Sequence, residues 1–85
     1  MLRISRIESP DEAVTIRLEG QVKGPWVEEL RRSCEPLLTA GRRVVLDLMY
    51  VSFLDLEGVA LCRSLRDRKV ALLHCSPFVA EQLKG

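Results

Sequence analysis

The sequence alternates two kinds of apolar pattern, and this alternation constrains the fold more than any other feature. Residues 13–19 place Val14, Ile16 and Leu18 at every second position, which indicates a half-buried strand. Residues 2–7 carry the apolar positions of an earlier strand, and residues 9–12 form a Pro-Asp turn between the two. The two segments therefore predict an antiparallel hairpin, with Gly20 ending its second strand.

A helix is predicted after the hairpin. Pro25 suits the first helical position, where a missing N–H is no loss, and apolar residues then recur at helical spacing as far as Leu38. Pro36 lies late in this segment and is predicted to kink or interrupt the helix. Gly41 follows the last turn as the expected C′ residue.

The second half of the chain repeats strand and helix patterns. Residues 43–50 contain an apolar run that begins at Val44 and is interrupted only by Asp47, which predicts a central strand buried on both faces. Residues 70–75 predict another buried strand. A second helix is predicted from Leu56, and Ser76-Pro77 begins a short terminal helix. The order β-β-α-β-α-β-α predicts an α/β fold with a small mixed four-stranded sheet. In that sheet the N-terminal antiparallel hairpin joins parallel strands, and helices pack on it.

Length, charge and cysteine usage exclude several classes of protein. A chain of 85 residues has room for one domain, here residues 1–85. With 13 basic and 12 acidic residues, its net charge of +1 provides no electrostatic attraction for nucleic acid or an anionic membrane. No segment resembles a secretory leader or is long enough for direct membrane insertion, and the scattered cysteines form no disulfide framework. We therefore expect a cytoplasmic protein.

Few side chains are suited to catalysis or metal binding. The chain has three cysteines and a single histidine, His74, with no metal-ligand spacing, so no metal site is predicted and the cysteines are expected in the core. No P-loop or G-x-G-x-x-G motif is present, so no cofactor is predicted either. We interpret His74 as a satisfied strand-end histidine and Ser52 as a solvated loop or capping serine. Catalytic residues and an enzymatic function are not predicted.

The junction between the third strand and the second helix is the best candidate site. Asp55 follows a buried strand, where sites form in open α/β sheets, and it is also a natural N-cap. Glu57 falls in the first helical turn, where a negative charge is favoured, and Gly58 permits a close approach. The alternative interpretation is that these residues only cap the start of the helix and have no further role.

Residues 44–48 (V-V-L-D-L) and 51–59 (V-S-F-L-D-L-E-G-V) resemble the central motif of the STAS domain. In this family of anti-sigma factor antagonists, an apolar strand ending in Asp-Leu is followed by V-S-F-L-D-S-S-G-L. Residues 14–20 are similar to the second strand of the family, and residues 70–77 to its fourth strand and the Ser-Pro that opens the next helix. The resemblance covers nearly the whole chain and implies a STAS-like fold and a phosphorylation-gated binding module.

The chain departs from the family pattern at the phosphorylation site. Asp55 and Gly58 match the motif, but Glu57 replaces the serine that a partner anti-sigma kinase phosphorylates, and Leu56 replaces the serine before it. Lys23 stands where the family commonly has an acidic residue. Glu57 cannot be phosphorylated, and its single charge is weaker than the roughly −1.5 to −2 of phosphoserine. Two interpretations stay open, a permanent mimic of the phosphorylated state and a site that lost its switch.

The resemblance implies a non-enzymatic protein–protein interaction module that is not switched by phosphorylation at Glu57. Its expected partner is an anti-sigma kinase-like protein. The alternative function is that the chain itself is a soluble accessory subunit of a membrane transport system for lipids or anions. The partner-binding residues are then Asp55, Leu56, Glu57, Gly58 and Lys23. Typical members also continue into another strand and a longer helix, so we expect an uncovered face and a homo-oligomer or an obligate partner.

Overall fold

We describe a computed structural model of the chain, which covers residues 1–84; Gly85, the last residue of the predicted domain, lies outside the described residues. The elements follow the predicted order. They are the strands β1 (Leu2–Glu8), β2 (Val14–Val22), β3 (Val44–Leu54) and β4 (Ala71–Leu73), and the helices α1 (Pro25–Thr39), α2 (Leu56–Asp67) and α3 (Pro77–Leu83). One four-stranded sheet has the order β1-β2-β3-β4, with β1 antiparallel to β2 and the other neighbours parallel. The predicted fold class is confirmed.

The three helices pack on the same face of the sheet. Each parallel crossover moves one strand further in the same direction, and right-handed crossovers then place α1 and α2 on one side. Helix α3 packs against both α2 and β3, which continues this layer. The core between the layers is built from alternate strand residues and the inner sides of the helices, and its fully buried members include Ile16, Leu18, Leu30, Leu46, Cys62 and Val79.

The strand β2 runs past the glycine that was predicted to end it. Gly20 has a φ of 118°, and a Cβ at this position would collide with the carbonyl oxygen of Met1. The pairing of β2 with β3 shifts register on both sides of Glu19 and Gly20, as at a β-bulge. Glycine thus permits an irregularity within the strand, and the strand continues to Val22. The prediction of a strand end at Gly20 was wrong.

The sheet face opposite the helices is open, which corrects two further predictions. Met49 and Tyr50 of β3 are 51% and 55% exposed, so this strand is buried on one face and not on both. The strand β4 has three residues, lies at the edge of the sheet and is partly exposed, although a fully buried strand was predicted. Both errors have one cause, because within residues 1–84 no helix covers this face and apolar side chains there remain in water.

Helix ends follow the sequence signals closely. Gly41 has a φ of 77°, and the N–H groups of Gly41 and Arg42 donate to Leu38 and Leu37, which confirms the C′ position. Ser76 caps α3 by accepting a hydrogen bond from the N–H of Val79 at 3.1 Å. Pro36 does not interrupt α1, which continues to Thr39. No helix in residues 1–84 combines the length and apolar character needed to span a membrane.

The cysteines lie largely in the core, as predicted. Cys34 and Cys62 are fully buried, and Cys75 is partly buried. Burial raises the pKa of Cys34 to about 11 and that of Cys62 to about 12, because the apolar core disfavours the thiolate. The two buried thiols are therefore protonated at neutral pH and behave as small apolar groups.

Candidate functional site

One carboxylate connects the starts of two helices. Oδ1 of Asp55 accepts a hydrogen bond from the N–H of Gly58 at 2.7 Å, and Oδ2 accepts one from the N–H of Gly24 at 2.9 Å. The backbone N–H of Asp55 donates to the carbonyl of Val22 at 3.1 Å. Asp55 therefore caps α2, as predicted, and also holds the loop before α1, 31 residues earlier in the chain.

Hydrogen bonding keeps this carboxylate ionised. The N–H groups of Gly24, Gly58 and Glu57 all donate to Asp55 and hold its pKa below its ordinary value. The positive charge of Lys23 acts in the same direction as the smallest contribution. The side chain thus remains an acceptor for both helix starts throughout the physiological range of pH.

Gly58 is needed because α2 begins directly against the end of β2. A Cβ on Gly58 would lie 2.5 Å from the carbonyl oxygen of Val22 and 3.3 Å from Oδ1 of Asp55. The first of these contacts is with backbone and cannot be relieved by a rotamer change. The close approach expected at Gly58 therefore occurs within the chain itself and fixes the position of the helix start.

Leu56 and Glu57 project from this fixed helix start. Leu56 occupies the first helical position and is 89% exposed, although leucine is among the residue types most often buried. Glu57 follows it, is exposed, and lines one end of a groove of about 320 Å³ between α1 and α2. The groove is further lined by Gly24, Val27, Glu28, Arg31, Ala60, Leu61 and Ser64.

Lys23 lies close enough to act on Asp55, but within residues 1–84 it forms no ion pair with Glu57. Its backbone carbonyl accepts a hydrogen bond from the N–H of Trp26 at 3.2 Å and so belongs to the turn that begins α1. The structure therefore brings Lys23 to the same end of the sheet as Asp55, Leu56 and Gly58. The charge of Glu57 is left facing solvent.

Two phenylalanines at the same end of the sheet were not singled out by the sequence. Phe53 of β3 and Phe78 of α3 stack with their ring centroids 6.5 Å apart, and both remain partly exposed. Gln82 fastens α3 to the end of β3, because its side-chain amide bonds both the N–H and the carbonyl of Leu54, at 3.1 and 2.7 Å. These contacts join separate elements, so no local sequence pattern could have indicated them.

The remaining polar candidates lie away from this helix start or within a strand. Ser52 is part of β3 and its hydroxyl donates to the carbonyl of Gly20 at 3.4 Å, so the predicted loop or capping role was wrong. His74 follows β4 and its Nδ1 lies 3.1 Å from Oδ1 of Asp47, which confirms a satisfied strand-end histidine. Within residues 1–84 no cluster of histidine, cysteine or acidic side chains has the arrangement of a metal site.

The arrangement of sheet and helices matches that of solved structures with a SpoIIAA-like fold. The anti-sigma factor antagonist SpoIIAA in its unphosphorylated form superimposes with a TM-score of 0.77 at 23% identity, over 93% of this chain and 79% of that chain. An antisigma-factor antagonist STAS domain from Rhodobacter sphaeroides gives a TM-score of 0.55 at 19% identity, over 86% of each chain. These likenesses confirm the predicted fold.

A third solved structure, an uncharacterised protein from Shewanella loihica with a SpoIIAA-like fold, has a TM-score of 0.60 and 18% identity. That comparison covers 91% of this chain and 69% of the other. No protein-family model and no curated protein sequence matches the chain. The similarity to known proteins is therefore one of fold.

Proposed function

We propose that this chain, residues 1–85, is a non-enzymatic protein-binding module that acts like an anti-sigma factor antagonist in the cytoplasm. The observation that carries the proposal is that Leu56 is 89% exposed at the start of a helix whose first turn is fixed by the Asp55 cap. Burying such a side chain in an interface contributes about 1.5–3 kcal/mol. The exposed rings of Phe53 and Phe78 add apolar surface at the same end of the sheet.

Rigidity favours this surface as a binding site. The bonds from Gly24 and Gly58 to Asp55 and the close fit of Gly58 against β2 fix the backbone beneath Leu56 and Glu57. A preformed surface loses little conformational freedom on binding, so more of the contact energy appears as affinity. In this proposal Leu56 is the apolar anchor, Glu57 supplies a fixed charge, and Asp55, Gly58 and Lys23 position them.

The partner we propose is an anti-sigma kinase-like protein. Two of the similar solved structures are described as anti-sigma factor antagonists, which supports this class of partner for the shared fold. Glu57 carries a permanent charge at the position of the phosphorylatable serine, so binding is not switched there by phosphorylation. The open face of the sheet supports a further proposal, that the module self-associates, which sedimentation at micromolar concentration tests directly.

Binding measurements with a purified anti-sigma kinase-like protein from the same genome test the function. Leu56→Ala is expected to weaken binding by about tenfold or more, because truncating a central anchor typically costs over 1 kcal/mol. Leu73→Ala is the matched control, since Leu73 is also exposed but lies on β4. Equal affinities for the wild type and Leu56→Ala would refute the proposed surface.

The role of Glu57 is tested by two substitutions in the same assay. Glu57→Gln removes the charge and keeps the shape, and Glu57→Ser restores a hydroxyl that a kinase can phosphorylate. If Glu57 mimics the phosphorylated state, both variants bind the kinase-like partner more tightly than the wild type does, and phosphorylated Glu57→Ser returns to wild-type affinity. Unchanged affinity in both variants identifies a site that has lost its switch.

A further inference from the structure

The open face of the sheet carries a cluster of three side chains that the proposed binding surface does not use. Asp47 of β3 has a side chain only 11% exposed, and its Oδ1 lies 3.1 Å from Nδ1 of His74. Its Oδ2 lies 3.5 Å from Nε of Arg17 on β2. Asp47 and Asp55 are separated by most of the length of β3, roughly 25 Å at about 3.3 Å per residue, so the cluster is distinct from the Leu56 surface.

The hydrogen bond to Asp47 determines which nitrogen of His74 is reactive. The N–H of Met49 donates to Oδ1 at 3.0 Å, and this bond, with smaller contributions from His74 and Arg17, lowers the pKa of Asp47. An ionised carboxylate only accepts hydrogen bonds, so Nδ1 of His74 must carry the proton. In the neutral ring the lone pair is then on Nε2, and the side chain is 52% exposed.

His74 also occupies a backbone conformation that costs energy. Its φ is 60°, in the left-handed region where glycine is favoured and other L-residues lose roughly 1–2 kcal/mol. Glycine at residue 74 would relieve this cost but would remove the partner of Asp47. The backbone therefore holds the imidazole against the carboxylate at some expense in stability.

The side chains around His74 indicate which reaction the oriented imidazole could carry out. Within residues 1–84 no cluster suits a metal ion, and no hydroxyl or thiol is hydrogen-bonded to His74, so neither metal binding nor acyl transfer is supported. The imidazole is half-exposed with its lone pair on Nε2, and the carboxylate of Asp47 lies behind the ring. Because the guanidinium of Arg17 offsets the charge of that carboxylate, the cluster does not repel an anionic group. We propose that His74 is a phosphoryl acceptor that is phosphorylated at Nε2 by a donor of the phosphoramidate class.

The transfer needs only His74, Asp47 and the named donor. The Nε2 lone pair of His74 forms the new phosphorus–nitrogen bond, while the phosphorus–nitrogen bond of phosphoramidate breaks and its electron pair leaves on ammonia. The ring is cationic at this stage, and the carboxylate of Asp47 stabilises it through the Nδ1–H bond. Nδ1 keeps its proton in the hydrogen bond to Asp47, and Arg17 offsets the negative charge of that carboxylate.

Potassium phosphoramidate is the probe for this reaction. Intact-mass spectrometry counts the phosphoryl groups, and phosphorus NMR distinguishes Nε2 from Nδ1; His74 is the only histidine in the chain, so assignment is direct. We expect one phosphoryl group on Nε2, formed about tenfold or more faster than on N-acetylhistidine. The carboxylate partners of metal-ligating histidines change metal affinity or activity by a comparable factor of about 10–100. A rate no faster than that of N-acetylhistidine, or modification at Nδ1, would overturn the proposal.

Three variants separate this role from a purely structural one. His74→Asn tolerates the left-handed backbone and can still bond Asp47, and it must incorporate no phosphoryl group. Asp47→Asn, checked for folding by circular dichroism, is expected to reduce the rate to that of N-acetylhistidine. If Asp47→Asn does not fold, Arg17→Gln at the half-exposed end of the cluster carries the test, with a several-fold lower rate expected and an unchanged rate counting against the proposal.

Discussion

Replacing Asp55 with alanine should destabilise the protein more than the loss of an ordinary helix cap. The carboxylate accepts one hydrogen bond from the start of α2 and one from the loop that begins α1, at 2.7 and 2.9 Å. A hydrogen bond to a charged group contributes about 1.5–3 kcal/mol, and the value for an N-cap is about 0.5–2 kcal/mol. Partial exposure of the side chain favours the lower values, so we expect a loss of about 2–4 kcal/mol for Asp55→Ala.

Ser76→Ala provides the matched control. Ser76 caps α3 through one neutral hydrogen bond of 3.1 Å, so its removal should cost about 1 kcal/mol. Asp55→Asn should fall between the two, because the amide retains one acceptor oxygen and places an NH₂ group against the other donor. A loss of 1 kcal/mol lowers the melting temperature of a domain this size by about 4–8 °C, which a thermal scan resolves.

Urea unfolding followed by far-UV circular dichroism measures these differences as shifts in midpoint at constant slope. The pKa of Asp55 is lowered in the folded state, so its contribution is complete above the unfolded pKa of about 3.9 and disappears as the pH falls through the folded value. The gap between the wild type and Asp55→Asn should therefore shrink in acid. If Asp55→Ala loses no more stability than Ser76→Ala does, the carboxylate does not connect the two helix starts.

Two substitutions and one labelling experiment test other parts of the structure. Gly58→Ala should lower the unfolding free energy measured in urea by about 1–2 kcal/mol, because its Cβ would lie 2.5 Å from the carbonyl oxygen of Val22. Overpacking of this kind costs about 1–3 kcal/mol, which exceeds the gain of about 1 kcal/mol in helix propensity. Lys69→Gly should raise the melting temperature by a few degrees, because Lys69 has a φ of 70° after α2 and glycine adopts it without strain; a decrease would contradict this. Cys34 and Cys62 should react with an aromatic disulfide reagent at neutral pH only as the protein unfolds, because their pKa values are raised to about 11 and about 12; rapid labelling of native protein would disprove their burial.

The helix ends and the hairpin were predictable because each depends on neighbouring residues. Gly41 ends α1 and Ser76 begins α3 through bonds that span only a few residues. The antiparallel pairing of β1 with β2 follows from two apolar segments separated by one turn. Asp55 as the cap of α2 belongs to the same class, since its bond to Gly58 lies within one helical turn.

The errors concern burial and register, which neighbouring residues do not control. Met49 and Tyr50 belong to an apolar run that is typical of a strand covered on both faces, yet they lie on the open face. Gly20 is typical of a strand end, but it lies within β2. Glycine is needed there because Met1 approaches closely and the pairing with β3 shifts register. In each case the outcome depends on what a distant part of the chain places against the residue.

At the candidate site, too, some features depend on neighbouring residues and others on distant contacts. The sequence by itself determined the order of elements, the capped helix start and the glutamate at its second position, because capping and periodicity act over a few residues. Only the tertiary structure decided that Asp55 also bonds Gly24, that one face of the sheet stays open, and that His74 meets the carboxylate of Asp47 there. The physical reason is the separation along the chain. These contacts join residues some 30 positions apart, and only the packed sheet brings them within hydrogen-bond distance.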